Sequence, residues 1–324
     1  MNYSQVLVTG SAGFIGFHVT KRLLEDGVTV VGVDNLNNYY DPNLKKMRSA
    51  LLERHKNYIF HQLDISEGNE VLDTLGIYKF DKICHLAAQA GVRYSLDNPS
   101  LYIKANIDGF ITLLEFARKQ QIRDVIYASS SSVYGNNTMP KSGFSEEDSV
   151  NQPISIYGMT KRANELSAYT YHHLYQMHIT GLRFFTAYGP WGRPDMAYYS
   201  FTKAIDEGKP ITLFNHGKMR RDFTYIDDIV DGVVSALEKA YPLEVFNLGN
   251  SQTVELDEFI QSLEKHLGKK AVLNYAPLQP GDVLETFANI SHAKDKLGFS
   301  PKTKIDEGLG KFIQWYRSYY EEQQ

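Results

Sequence analysis

A tyrosine and a lysine stand four residues apart in mid-chain, in Tyr157-Gly158-Met159-Thr160-Lys161. On a helix that spacing puts both side chains on one face. A free phenol ionises near pH ~10 and is a weak base at neutrality. A cation held close favours phenolate and makes tyrosine a usable general base. Upstream runs Tyr127-Ala128-Ser129-Ser130-Ser131-Ser132-Val133-Tyr134-Gly135. Four serines after an apolar run are poor core material. Their hydroxyls can donate to a substrate oxygen and relay a proton to Tyr157, whereas a single serine there would more simply cap a turn.

A second pattern opens the chain: Thr9-Gly10-Ser11-Ala12-Gly13-Phe14-Ile15-Gly16 follows a β-branched run and leads into a helical one. Gly10 permits a tight turn, Gly13 lets backbone amides approach a pyrophosphate, and Gly16 lets helix and strand pack closely. The helix start supplies free N–H groups and partial positive charge for phosphates. Asp34 ends the next strand-like run, about 20 residues on. Its carboxylate can accept both ribose hydroxyls of NAD and would repel the extra phosphate of NADP. Gly10, Ala12, Gly13, Phe14, Ile15, Gly16 and Asp34 are therefore the expected dinucleotide contacts.

These groups need elements to hold them. Residues 6–9, 28–34, 58–63, 82–86 and 124–128 read as strands, and 15–26, 101–119 and 157–175 as helices. That alternation predicts an α/β fold, a Rossmann-type doubly wound parallel sheet with helices on both faces. After about residue 185 the pattern loosens around Pro190, Gly192 and Pro194. A helix at 224–238 and a strand at 245–248 read as a return to the first lobe, with short helices and loops from about 253. The expected division is a dinucleotide lobe of 1–183 plus 224–250, and a smaller mixed α/β substrate lobe of 184–223 plus 251–324.

Composition narrows the function classes. The 324 residues are 43 % hydrophobic and 22 % charged, the balance of a globular chain. A net charge of -4 leaves no footprint for nucleic acid or an anionic membrane. No apolar run is long enough to span a bilayer, and residues 6–8 enter a strand without a signal-peptide pattern. The single cysteine, Cys84, fits a buried position and a reducing compartment. The expectation is a cytoplasmic enzyme. The ten histidines show no metal-ligand spacing, so no metal is expected.

The first glycine gap is one residue wider than in the usual fingerprint, and this resembles the extended branch of the short-chain dehydrogenase/reductase superfamily. The resemblance covers nearly the whole chain. It implies that Asp64-Ile65, after the third strand, lies near the adenine, and that Ala87 and Ala88 leave room for the cofactor. It assigns Ser130, Tyr157 and Lys161 to catalysis; Lys161 can also bond the nicotinamide ribose, and the positive nicotinamide ring, like the lysine, favours phenolate at Tyr157. The segment Arg221-Asp222-Phe223-Thr224-Tyr225-Ile226-Asp227-Asp228 looks like nucleotide-sugar members, where the arginine meets the substrate diphosphate. An ion pair of Arg221 with Asp222 or Asp227 is the plainer alternative.

Within that branch, dehydratases carry Asp-Glu after the catalytic hydroxyl, and decarboxylases carry a glutamate in the second position. Here those positions are Ser131 and Ser132. Epimerisation needs only the triad and NAD: hydride leaves C4, the keto sugar rotates, and hydride returns to the other face. Ser130, Ser131, Ser132 and Thr186 would offer neutral donors to a uronate carboxylate, which could not be buried unpaired. Hexose 4-epimerases of the branch usually carry asparagine where Thr186 stands.

Four stretches, 34–41, 90–95, 189–196 and 279–283, resemble the UDP-glucuronate 4-epimerases. That likeness brings Arg93 and Arg193 toward the substrate, although an arginine after a Pro/Gly turn can simply be solvated. It gives Asp282 a uridine ribose hydroxyl, or else a loop cap. The implied reaction is UDP-glucuronate to UDP-galacturonate. A UDP-hexose or UDP-N-acetylhexosamine 4-epimerase is the alternative, with UDP-glucuronate decarboxylase third and a redox-sensing regulator fourth. The branch also implies a homodimer through helices 101–119 and 157–175. Leu113, Phe116, Leu166 and Tyr169 suit that contact or an internal core equally.

Overall fold

Along each β-branched run the side chains alternate between two faces, and in the central strands both faces are buried. The computed structural model describes residues 3–137, 139–277 and 285–321. Six strands, β1 (Gln5–Thr9), β2 (Thr29–Asp34), β3 (Tyr58–Gln62), β4 (Lys82–His85), β5 (Asp124–Ser130) and β6 (His178–Phe184), join Leu243–Leu248 in one sheet. Every pairing is parallel. Val6, Val8, Val30, Cys84, Ile126 and Leu182 pack to one side with Leu23, Ile229 and Val233. Leu7, Val31, Val33, Ile83, Val125 and Ile179 pack to the other with Phe110, Leu113 and Phe116. A period of two explains the split. Helices Phe14–Glu25 and Ile226–Lys239 contribute to the first layer, Gly109–Lys119 and Ile156–Tyr175 to the second.

The strand order is Leu243–Leu248, β6, β5, β4, β1, β2, β3. The chain therefore runs outward from β1 to β3, returns to β4 at the other edge of β1, and runs outward again. The expected doubly wound sheet is present. Its switch point lies between β1 and β4, where a crevice opens beyond the strand ends. Outside this sheet, Thr186–Tyr188 pairs with Phe223–Tyr225, Arg220–Arg221 lies between Val254–Glu255 and Glu285–Thr286, and Pro210–Leu213 pairs with Val272–Tyr275. None of the helices among the described residues is long and apolar enough to cross a membrane.

Three expectations need amendment. Strand β6 is not foreseen, because Gly181 and Arg183 break its apolar pattern. A Cβ on Gly181 would lie 2.6 Å from the Tyr127 hydroxyl, so glycine admits that ring. Arg183 is buried because Glu165 receives its fork, at 2.8 and 3.0 Å. The C-terminal region is more regular than expected, with helices Leu256–Leu267 and Ile305–Glu321. Residues 101–119 are helical but interrupted by a π-helical turn at Ile103–Asp108. Of the proposed contact residues, Leu113 and Phe116 belong to the core, while Leu166 and Tyr169 are 54 % and 60 % exposed. Cys84 is fully buried, which pushes its thiol up to about 12 and leaves it a packing residue.

The buried Arg183–Glu165 pair also accepts from Ser129 and Arg162. Burial pushes the Glu165 carboxyl up, but Arg183 and these donors outweigh it and hold it below 4.5. Its stabilisation is thus present above about pH 4.5 and lost as pH falls through the lowered folded value. Glu165→Gln, which strands the guanidinium, is expected to cost about 3–5 kcal/mol in urea unfolding near neutrality. A loss under about 1 kcal/mol would show that the pair is dispensable.

Candidate active site

The glycine loop is shaped by contacts that only glycine permits. Gly10 has φ +73°, and a Cβ there would sit 2.6 Å from the Ala87 nitrogen at the end of β4. A Cβ on Gly16 would sit 2.0 Å from the Gly10 carbonyl oxygen. The loop closes through Gly10 N–H to the Val33 carbonyl, 2.6 Å, and Gly13 N–H to the Gly10 carbonyl, 2.9 Å. Gly13 caps helix Phe14–Glu25 with no side chain, so the first-turn amides face the crevice without a protein anion.

Asp34 ends β2 and is 7 % exposed. Its carboxylate accepts from Leu36 N–H at 2.9 Å and Ala12 N–H at 3.2 Å. Burial pushes its carboxyl up, against the pull of Lys45 and these amides. Asp64 accepts from Ser66 at 2.7 and 3.0 Å and from Asn35 at 3.1 Å. Burial raises Asp64 as well, but the Ser66 bonds prevail and its carboxyl stays low.

Ser155 caps helix Ile156–Tyr175 by accepting from Gly158 N–H at 3.0 Å. This start aims Tyr157 and Lys161 at the cleft. Lys161 is 1 % exposed and donates to the Ala128 carbonyl on β5 at 2.9 Å. Burial lowers its ammonium to about 7. Its Nζ lies 5.9 Å from the centre of the Tyr157 ring. Tyr157 is half-buried, and burial pushes its phenol up despite the Ser130 hydroxyl and the Arg193 charge. The expected downward pull of Lys161 is thus not the dominant influence on this phenol. Ser130 accepts from Ser132 N–H at 3.2 Å, which turns the serine run across the end of β5. Ser129 faces away, donating to Glu165 at 2.7 Å.

Across the cleft, Arg193 forms a forked pair with Asp195 at 3.0 and 2.5 Å, and Tyr39 donates to Asp195 at 3.1 Å. Arg193 is therefore anchored rather than merely solvated. Arg93 lies over the Phe214 ring at 5.0 Å. Arg221 donates to the Arg220 carbonyl at 2.9 Å. The Asp222 carboxylate accepts from Asn250 N–H at 2.6 Å, and from Ser251 and Ala288 N–H at 3.0 Å. It thereby ties two further segments to its own behind Arg221.

One cleft of about 900 Å³ is lined by Gly10, Gly13, Phe14, Ile15, Gly16, Asp34, Asp64, Ile65, Ala87 and Ala88 on one side. Ser130, Ser131, Ser132, Tyr157 and Lys161 line its centre, and Arg93, Thr186, Arg193 and Arg221 its far part. Of the expected contacts, Ala12 is buried behind the wall, its N–H committed to Asp34. Asp282 lies outside the described residues. Sequence reasoning missed Asn106, whose side chain in the π-helical turn bonds Gln89 N–H and C=O at 2.8 and 3.0 Å and Thr160 at 3.0 Å. The packed π turn leaves no periodicity signal. It also missed Tyr39, Arg48 and Gln89, which no spacing rule singles out.

The buried Lys161 cation carries a stability signature. Its folded value lies below the ordinary 10.5, so the penalty on the folded state is full below about pH 7 and fades as pH rises toward 10.5. Lys161→Met is expected to raise stability by roughly 1–4 kcal/mol at about pH 6 in urea unfolding, and by less at about pH 10. An equal gain at both pH values, or a loss, would contradict this burial.

Comparison with known proteins agrees with this geometry. Residues 6–249 match the NAD dependent epimerase/dehydratase family. UDP-glucuronate 4-epimerase 4 of Arabidopsis thaliana is 49 % identical over 97 % of this chain and 76 % of its own length. The structure of UDP-glucuronic acid 4-epimerase from Bacillus cereus, in complex with UDP-glucuronic acid and NAD, superposes with a TM-score of 0.90. It is 36 % identical, over 98 % of this chain and all of that one. UDP-glucose 4-epimerase of Thermotoga maritima, with UDP-glucose, superposes at 0.89 with 31 % identity, over 98 % of this chain and 99 % of its own. A chain matched over this length, with this sheet and this cleft, belongs to the NAD-dependent epimerase/dehydratase family.

Proposed function

We propose that this member inverts C4 of a UDP-linked uronic acid, interconverting UDP-glucuronate and UDP-galacturonate. The observation that carries the reading is the set of neutral donors around Tyr157. Ser130, Ser131, Ser132 and Thr186 line the cleft, and none is a carboxylic acid. Dehydration or decarboxylation would call for a carboxyl group beside Ser130. Neutral hydroxyls can hold a substrate carboxylate without adding a competing acid. The Arabidopsis relative and the Bacillus cereus complex support the same substrate.

NAD is the cofactor, and the residues present fit it. The glycine loop has no space for a Cβ, the helix start offers amides, and Asp34 offers a carboxylate at the ribose distance of the motif. When bound, NAD supplies a two-electron acceptor that also returns the hydride, so none is consumed. In this proposal Tyr157 takes the proton of the substrate hydroxyl and later gives it back. Ser130 bonds the same oxygen and steadies the phenol. Lys161 contributes positive field from a dry position, where charge is weakly screened. Arg221 meets the diphosphate with its fork, and Arg93 and Arg193 approach the sugar nucleotide from the far wall. Asp282 keeps its proposed uridine contact, outside the described residues. The lobes 1–183 plus 224–250 and 184–223 plus 251–324 would close on the two halves of this ligand set. Leu166 and Tyr169, exposed beside one another on helix Ile156–Tyr175, are the proposed homodimer contact.

Proton NMR of the purified protein with UDP-glucuronate and trace NAD tests the reading. The expected outcome is UDP-galacturonate with no net NADH. Carbon dioxide with a UDP-pentose would replace it by the decarboxylase. Inert UDP-glucuronate with turnover of UDP-glucose would move the substrate to a neutral hexose. Tyr157→Phe is expected to lower turnover by about 10²–10⁴-fold with NAD content unchanged. Tyr169→Glu is expected to shift the sedimenting species to a monomer, and a dimer that persists would place the contact elsewhere.

A further inference from the structure

Arg48, on helix Pro42–Leu52, is fully buried yet makes no ion pair among the described residues. Its fork instead spans two loops. Nη1 donates to the Ala12 carbonyl at 2.9 Å and the Tyr40 hydroxyl at 2.8 Å. Nη2 donates to the Trp191 and Gly192 carbonyls at 2.5 and 3.2 Å. Nε has no partner. A buried cation without a carboxylate costs stability, so a purely structural core would be better served by an apolar side chain. What the fork provides is a rigid tie that ammonium cannot reproduce.

The two loops that it joins are the glycine loop and the turn carrying Arg193. That turn has an unusual backbone, with Gly189 at φ +145° and Trp191 at φ +59°. A bulky residue in the left-handed region persists only when its surroundings hold it there. Further ties run the same way. His18 bonds the Pro190 carbonyl at 2.9 Å, Tyr39 bonds Asp195, and the Phe17 and Trp191 rings meet at 5.7 Å. Arg48 alone among these touches the glycine loop and the turn together.

We propose that Arg48 is a positioning residue that couples the cofactor loop to the substrate-side turn, so that a ligand on either side strengthens the hold on the other. The inference rests on the reading that a nucleoside diphosphate fills the far part of the cleft. Coupling of this kind is reciprocal. It can therefore be read from the cofactor side without turnover.

The experiment follows the rate at which NAD leaves the purified holoenzyme on dilution, with and without UDP, while calorimetry reports UDP binding in the same samples. In the wild-type chain UDP is expected to slow NAD loss by about five-fold or more. In Arg48→Lys, which keeps the charge and loses the span, UDP still binds and the ratio falls to about one. A role in folding alone would speed NAD loss equally with and without UDP and leave the ratio unchanged, which overturns the proposal. So does a wild-type ratio of one. If Arg48→Lys fails to fold, Arg48→Gln, which is too short to span the Ala12 and Trp191 carbonyls, takes its place; a reduced ratio supports the coupling and an unchanged ratio overturns it. Absence of UDP binding by wild type would instead remove the diphosphate reading itself, and the coupling with it.

Discussion

The site depends on an ammonium group kept dry. Lys161 is buried on the helix face beside Tyr157, and its bond is to a backbone carbonyl, that of Ala128. A lysine in that position is held against its own solvation, and burial takes its ammonium to about 7. Nothing local would choose this. The parallel sheet supplies the carbonyl at the end of β5, and the helix packed on that sheet supplies the lysine. A charge out of water acts at greater range on any ligand bound in the cleft.

The remaining architecture serves the two walls of the crevice. On one wall the glycine loop packs so tightly on β4 and on its own helix that neither Gly10 nor Gly16 can carry a Cβ. On the other, Arg193 is fixed by Asp195 and Tyr39, while Asp222 ties two further backbone segments to its own behind Arg221. Buried charges recur in this frame, at Arg48, Lys161, Glu165, Arg183 and Asp222. Each is met by oriented hydrogen-bonding partners, which makes the cleft preorganised rather than adaptable.

The doubly wound sheet and the main parts of the cleft could be read from the sequence because they rest on local rules. Short β-branched apolar runs mark β1 to β5, the glycine spacing marks the loop, and a four-residue spacing marks Tyr157 and Lys161. What escaped depends on contacts between distant residues. Strand β6 hides its pattern behind Gly181, which admits the Tyr127 ring, and Arg183, which is neutralised by Glu165. The fork of Arg48 and the Asn106 bridge to Gln89 join segments whose meeting no spacing announces. The phenol also departs from the sequence expectation. The spacing correctly puts Lys161 beside Tyr157, but burial raises the phenol more than its neighbours lower it. Burial by itself therefore favours the protonated phenol, and a positively charged nicotinamide ring, when bound, would supply a charge that favours phenolate.

Titration of that single phenol tests this account most directly. The difference in phenolate absorbance between the wild-type chain and Tyr157→Phe isolates Tyr157, with NAD bound and after its removal. The account predicts that Tyr157 ionises above the free-tyrosine value of about 10 without NAD and below it with NAD bound. An ionisation that NAD leaves unchanged would contradict it, and would place the source of the base elsewhere than in the charges gathered around Tyr157.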